Sequence, residues 1–218
     1  MNMTTNINAN PLANGNDELE RYALEECVKR QRLDHRSSVF VTPANRCELA
    51  ARFARLGASV LIGDAAQEQK TSEGRILAMG LGDLIRFAPL NLATLPDDLS
   101  GEPFDIAFVH RDLCAMPYEQ ARKVVRQLLL KLRIGGKLYL SLLGLHSELG
   151  DGYADHGRPV SERHAPLAPA IASKYGITGP VCLYSERDLF MLLLDAGASV
   201  LRTLTTTYGN VKGVAVRV

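Results

Sequence analysis

Short apolar runs alternate with amphipathic stretches along most of this chain. Ser38–Thr42, Ser59–Ile62, Phe104–Val109 and Lys137–Leu143 carry apolar residues with little polar alternation. Runs of that kind predict strands buried on both faces. Leu84–Ala88 is a shorter candidate of the same type. Between the first two runs, Leu49, Phe53 and Leu56 repeat at helical spacing from Asn45, a candidate cap, to Gly57, a natural stop. A further helix is expected within Ala65–Met79, ending or breaking near Gly74 or Gly80. From Pro117, the residues Ala121, Val124, Val125, Leu128, Leu129 and Leu132 form one apolar stripe, with Arg122, Lys123 and Arg126 on the opposite face. Gly135-Gly136 is its expected stop.

Ahead of the first strand, Asn16 or Asp17 can cap a helix to about Asp34 that buries Leu19, Tyr22, Ala23 and Cys27. After a helix over Ser185–Ala196 come two strands, Val200–Thr207 and Val211–Val218, joined by Tyr208-Gly209-Asn210. So short a connection requires an antiparallel hairpin. The pattern predicts an α/β fold, Rossmann-like and doubly wound. Its mostly parallel seven-stranded sheet ends in a C-terminal antiparallel hairpin. Residues 1–16 read as a disordered tail and residues 17–218 as a single domain.

Charge changes this picture little. With 25 basic and 24 acidic residues the formal charge is +1, so no global field favours nucleic acid or an anionic membrane. The four cysteines stand apart without a CxxC pair, which fits a reducing compartment rather than zinc or a disulfide scaffold. No run is long enough to span a bilayer and the N-terminus lacks the layout of a secretory signal, so a cytoplasmic location is expected.

The stretch from Ser38 to Asp64 is a strand–turn–helix–strand closed by an acid, the outline of a nucleotide-binding unit. Three further motifs follow in order. Phe104-Asp105-Ile-Ala-Phe looks like a fourth strand, and Leu132-Arg-Ile-Gly-Gly-Lys-Leu-Tyr-Leu140 leads into a fifth. Tyr184-Ser-Glu-Arg-Asp-Leu-Phe-Met-Leu-Leu-Leu-Asp-Ala-Gly197 precedes a sixth. With the terminal hairpin, this set resembles the class I S-adenosylmethionine-dependent methyltransferases, over nearly the whole chain from Asp17.

The resemblance implies S-adenosylmethionine as cofactor and methyl transfer to a small-molecule acceptor, without a nucleic-acid or membrane partner and with a homodimer as an open option. It places Asp64, followed by Ala65, where the family's acid accepts from the ribose hydroxyls; capping the following helix is the competing role. Asn91 matches the residue that receives the adenine amine, and Leu92 the one against the ring face. His110 falls near the reactive methyl, where it would line the pocket or act as a general base. The family's first motif, an acid followed by spaced glycines, is absent. Val41 stands at the acid's place, and Thr42, Pro43, Ala44, Asn45 and Arg46 fill the turn.

Two readings of that turn stay open. Side chains of Thr42, Asn45 and Arg46 could replace the glycine amides, with Arg46 pairing the cofactor's carboxylate. Alternatively the pocket is filled, and the chain is an inactive binding or regulatory protein on the same fold. A nicotinamide enzyme is a third reading, which the missing glycines and the hairpin disfavour. The polar, Gly/Pro-rich stretch His146–Pro180 reads as a lid or substrate-binding insertion. Its His146, Glu148, Asp151, Asp155, His156, Arg158, Glu162, Arg163 and His164 have no recognised metal spacing. They read more simply as a solvated surface than as a metal or acid/base set.

Overall fold

The computed structural model describes residues 17–96, 99 and 101–218; the tail expected over residues 1–16 lies outside them. Helix α1 (Glu18–Gln31) begins at Asp17, whose carboxylate accepts the Leu19 N–H at 2.9 Å. Five strands follow with intervening helices: β1 (Ser38–Thr42), α2 (Cys47–Arg55), β2 (Ser59–Asp64), α3 (Gln69–Ala78), β3 (Ile85–Pro89), β4 (Phe104–His110), α4 (Tyr118–Lys131) and β5 (Leu132–Leu142). A segment with β6 (Ala165–Pro166), α5 (Pro169–Tyr175) and β7 (Pro180–Val181) precedes α6 (Glu186–Asp195), β8 (Ser199–Thr205) and β9 (Val211–Val216).

The main sheet has seven strands in the order β3-β2-β1-β4-β5-β9-β8. The first five are mutually parallel, and β9 runs antiparallel to both β5 and β8. This is the expected doubly wound sheet with its terminal hairpin. Phe53, Ile62, Phe108 and Tyr139 belong to the core on one side, with α1 and α2. Val125, Leu128, Leu140 and Leu192 belong to the core on the other, with α4 and α6. Apolar burial on both faces explains why the strands read as continuous apolar runs.

Several expected boundaries move. Asn45 is not the cap of α2, because Ala44–Arg46 first makes a 3-10 turn and α2 starts only at Cys47. A second 3-10 turn, Ala66–Glu68, delays α3 in the same way, and Gly74 lies inside that helix without breaking it. The glycine pair 135–136 does not stop α4, which ends at Lys131; it lies within β5, where pairing with β4 shifts register between Phe104 and Ile106. A Cβ at Gly136 would meet the Arg133 carbonyl oxygen at 2.8 Å, so glycine is needed for this close approach.

The 146–180 stretch is more ordered than a loose lid. Leu149, Tyr153, Leu167, Tyr175 and Ile177 are buried in it. The buried Arg163 donates from Nη1 to the Leu183 carbonyl (2.7 Å) and Asp188 (2.9 Å), and from Nη2 to the Arg158 carbonyl (2.8 Å). Arg163 therefore departs from the expected solvated surface: it anchors this segment to the start of α6.

Candidate functional site

The chain leaves β1 toward β2 and β3, then returns to lay β4 on the other side of β1. Open α/β sheets bind ligands in a crevice at the carboxyl ends of the strands flanking such a reversal, here β1 and β4. Registers Thr42↔Val109, Asp64↔Pro89 and His110↔Ser141 bring Thr42, Asp64, Pro89 and His110 to that edge. Of the residues singled out from the sequence, Thr42, Asp64 and His110 thus come to one edge of the sheet.

The glycine-free turn is built without any backbone conformation that needs glycine. The only non-glycine residues with positive φ among the described residues are Asp34 and Arg111. Pro43 is extended (φ −84°, ψ 178°), and the 3-10 turn follows at once. Thr42 is buried and its hydroxyl donates to Asp112 at 2.6 Å. The Ala44 N–H donates to Asp64 Oδ2 at 2.8 Å, while Asp64 Oδ1 accepts the Ala65 N–H at 2.7 Å. Asp64 is therefore a clamp on the preceding loop rather than the expected cap, because the following 3-10 turn has Ala65 at its cap position and no side-chain cap bond. It remains partly exposed, and each oxygen keeps acceptor capacity beyond its one N–H.

Asn91 is exposed, and its side-chain oxygen accepts the Ala93 N–H at 2.9 Å, starting the 3-10 turn Leu92–Thr94. Leu92 is turned into the core, so little of it is left to face a ring. Asn45 is exposed at the top of the loop. Arg46 points toward α1: its Nη2 lies 2.8 Å from Glu20 and 3.9 Å from Asp17. Acids of the chain thus stand beside Arg46, although its Nε and Nη2 make no hydrogen bond.

His110 is nearly inaccessible, and its Nδ1 has no hydrogen-bond partner. Burial, reinforced by Arg46, Arg111 and Lys212, holds its pKa well below the usual histidine range. It is neutral at pH 7, and the same cations oppose the imidazolium a general base must form. Arg111, which the sequence did not single out, is 1% exposed and left-handed at φ 66°. Burial lowers its pKa to about 10, with Cys114 and Asp17 opposing and Arg46 adding to the shift. Lys212, at the start of β9, is held by Asp17 at 2.6 Å.

Between the 146–180 segment and the β8–β9 turn lies a cleft of about 390 Å³. His146, Glu148, Tyr175, Thr206 and Tyr208 line it. The Glu148 carboxylate is engaged by Lys174 and the Tyr175 hydroxyl. The His146 and His156 rings meet edge to face with centroids 6.1 Å apart. No group of three metal-ligating side chains occurs among the described residues.

No protein-family model matches the sequence, and no curated protein matches it. Solved structures do match the backbone. An O-methyltransferase family protein from Burkholderia thailandensis aligns with a TM-score of 0.63 at 16% identity, over 91% of this chain and 56% of that one. The 1,6-didemethyltoxoflavin-N1-methyltransferase of the same organism, with bound 1,6-didemethyltoxoflavin and S-adenosylhomocysteine, aligns at 0.62 and 18% identity, over 93% and 79%. The chain has the class I S-adenosylmethionine-dependent methyltransferase fold.

Methyltransferase-fold proteins do not share one reaction. The [4+2]-cyclase SpnF aligns at 0.60 and 17% identity, over 87% of this chain and 60% of that one. The chain spans little more than half the length of the first of these structures, 56%. Sequence reading missed Arg111 because an arginine after a strand ordinarily lies at the surface. Its one available signal was position, at the end of β4 beside the crevice.

Proposed function

We propose that this methyltransferase-fold chain binds S-adenosylmethionine along the carboxyl edge of β1–β4 and transfers its methyl group to a small-molecule acceptor. Asp64 carries this reading. Its partly exposed carboxylate stands at the end of β2 with acceptor capacity left on both oxygens, as two vicinal ribose hydroxyls require. Asn91, on the loop after the adjacent strand β3, lies on the adenine side, and Ala65 borders the ribose. Exposed Asn91 has a side-chain amide whose oxygen already starts a turn, so it contributes from a fixed position.

At the methionine end a glycine cradle is replaced by Thr42 and Ala44, packed and hydrogen-bonded in place. When bound, the cofactor supplies an electrophilic methyl group. The chain's part is to hold acceptor and sulfonium in line and to exclude water, which accounts for much of such a rate enhancement. His110 shapes the floor of the crevice and carries no proton in this reading. The 17–218 span acts as one domain, with 146–180 as its acceptor-binding cap. The 390 Å³ cleft under that cap has the volume of a small-molecule pocket.

The bound S-adenosylhomocysteine in the toxoflavin enzyme supports the same ligand class on the same fold. Because SpnF is a cyclase, fold alone does not carry the reading and the ribose contact must. Titration calorimetry with S-adenosylhomocysteine tests it. Saturable heat at micromolar ligand is expected; no heat and no thermal shift at millimolar ligand would sink it.

A further inference from the structure

Arg111 holds a full positive charge inside the protein with much of its hydrogen-bonding capacity unused. Its Nε and Nη1 have no partner, and the neighbouring His110 Nδ1 is likewise unpartnered. The main chain fixes where this side chain starts. The Arg111 N–H donates to the Ser141 carbonyl at 2.7 Å, and its own carbonyl accepts the Cys114 N–H at 2.8 Å. A left-handed φ of 66° in a residue other than glycine is uncommon and persists only where the surroundings over-determine it.

Asp17 holds Lys212 and Asp112 accepts from Thr42, while Nε and Nη2 of Arg46, beside Glu20, likewise make no hydrogen bond. No hydrogen bond joins any of these acids to Nε or Nη1 of Arg111. A buried guanidinium left in this condition is costly to the free protein, and a bound anion removes that cost.

We propose that Arg111 anchors a carboxylate bound at the junction of β1 and β4, through its unpartnered guanidinium N–H groups. Arginine suits this ligand because its planar donors match carboxylate geometry. Two ligands can supply the carboxylate: the amino-acid end of S-adenosylmethionine, or an acidic acceptor. The choice between them rests on the methyl-transfer reading; the anion site itself rests on the orphaned donors.

Calorimetry and thermal shift on the full chain, with Arg111→Met and Arg111→Lys beside wild type, separate these cases. The probes are S-adenosylhomocysteine, 5′-methylthioadenosine (the same thionucleoside without the amino-acid end), acetate and benzoate. Wild type is expected to bind S-adenosylhomocysteine about ten-fold or more tightly than methylthioadenosine. Arg111→Met is expected to abolish that gap while leaving methylthioadenosine unchanged, and Arg111→Lys to keep part of it.

Equal nucleoside affinities, with the simple carboxylates stabilising wild type but not Arg111→Met, would place the carboxylate on the acceptor. Carboxylate stabilisation without nucleoside binding would sink methyl transfer and leave the anion site standing. Nucleosides bound without a gap, and no carboxylate that distinguishes wild type from Arg111→Met, would overturn the anion site and leave the nucleoside site intact. Should Arg111→Met fail to fold, the wild-type gap and its loss under competing carboxylate decide the matter.

Discussion

Replacing Asp64 by alanine removes the clamp that joins the β1 loop to the end of β2. Two bonds set the magnitude, from the Ala44 N–H at 2.8 Å and the Ala65 N–H at 2.7 Å. Ala44 is 2% exposed, so its N–H loses its partner with little access to water; an unsatisfied buried donor costs about 1–3 kcal/mol. Ala65 is partly exposed and its N–H regains water, so that bond contributes roughly 0.5 kcal/mol or less on balance. The expected loss is about 2 kcal/mol. With a urea m-value of about 2–3 kcal/mol/M for a chain of this size, the unfolding midpoint should fall by roughly 1 M at unchanged m. Asp64→Asn keeps one acceptor oxygen and should fall between the two. Nucleoside affinity should drop about ten-fold or more in Asp64→Ala, because a charged acceptor is lost. A midpoint shift below about 0.2 M would refute the clamp and the backbone argument behind it.

Arg163→Met should destabilise the protein by about 3–5 kcal/mol, since it strips a buried guanidinium from Asp188 and two carbonyls. Proteolysis within 151–162 should accelerate with it; unchanged cleavage would show that the cap is held by other contacts. The depressed pKa of His110 gives a stability loss on the acid side. The unfolded chain takes up this proton as pH falls below 6.5 while the folded protein does not. Stability from this group is fully present above that pH and declines below it, by at most about 1.4 kcal/mol per pH unit. His110→Asn should flatten that decline; parallel wild-type and variant curves between about pH 6.5 and 5 would contradict the assignment.

The sheet was legible because burial on both faces leaves apolar runs such as Val39–Val41 and Leu138–Leu140, which a surface strand would not show. The hairpin was legible because three residues cannot carry a parallel crossover. Helix starts were less so. Asn45 is a good capping residue by type, yet the chain enters α2 through a 3-10 turn organised by the Ala44–Asp64 bond, a contact twenty residues apart in sequence. Gly135 and Gly136 looked like a helix stop because glycine is common there, while the structure uses them inside β5. At the candidate site, Asp64 was singled out from its place at the end of an apolar run. Arg111 and Arg163 were not, because composition treats arginine as solvated and only tertiary packing shows which arginines lie inside. The absence of glycine from Thr42–Arg46 proved compatible with the turn, since no residue there takes a left-handed φ.

The central claim is that a nucleoside lies along the carboxyl edge of the sheet, between Asp64 and Asn91. A crystal structure of the chain with saturating S-adenosylhomocysteine tests it most directly. Ribose hydroxyls on the Asp64 carboxylate and the base beside Asn91 are the expected result. A crevice without nucleoside at saturating ligand, or a nucleoside found only in the cleft lined by His146 and Tyr208, would contradict it.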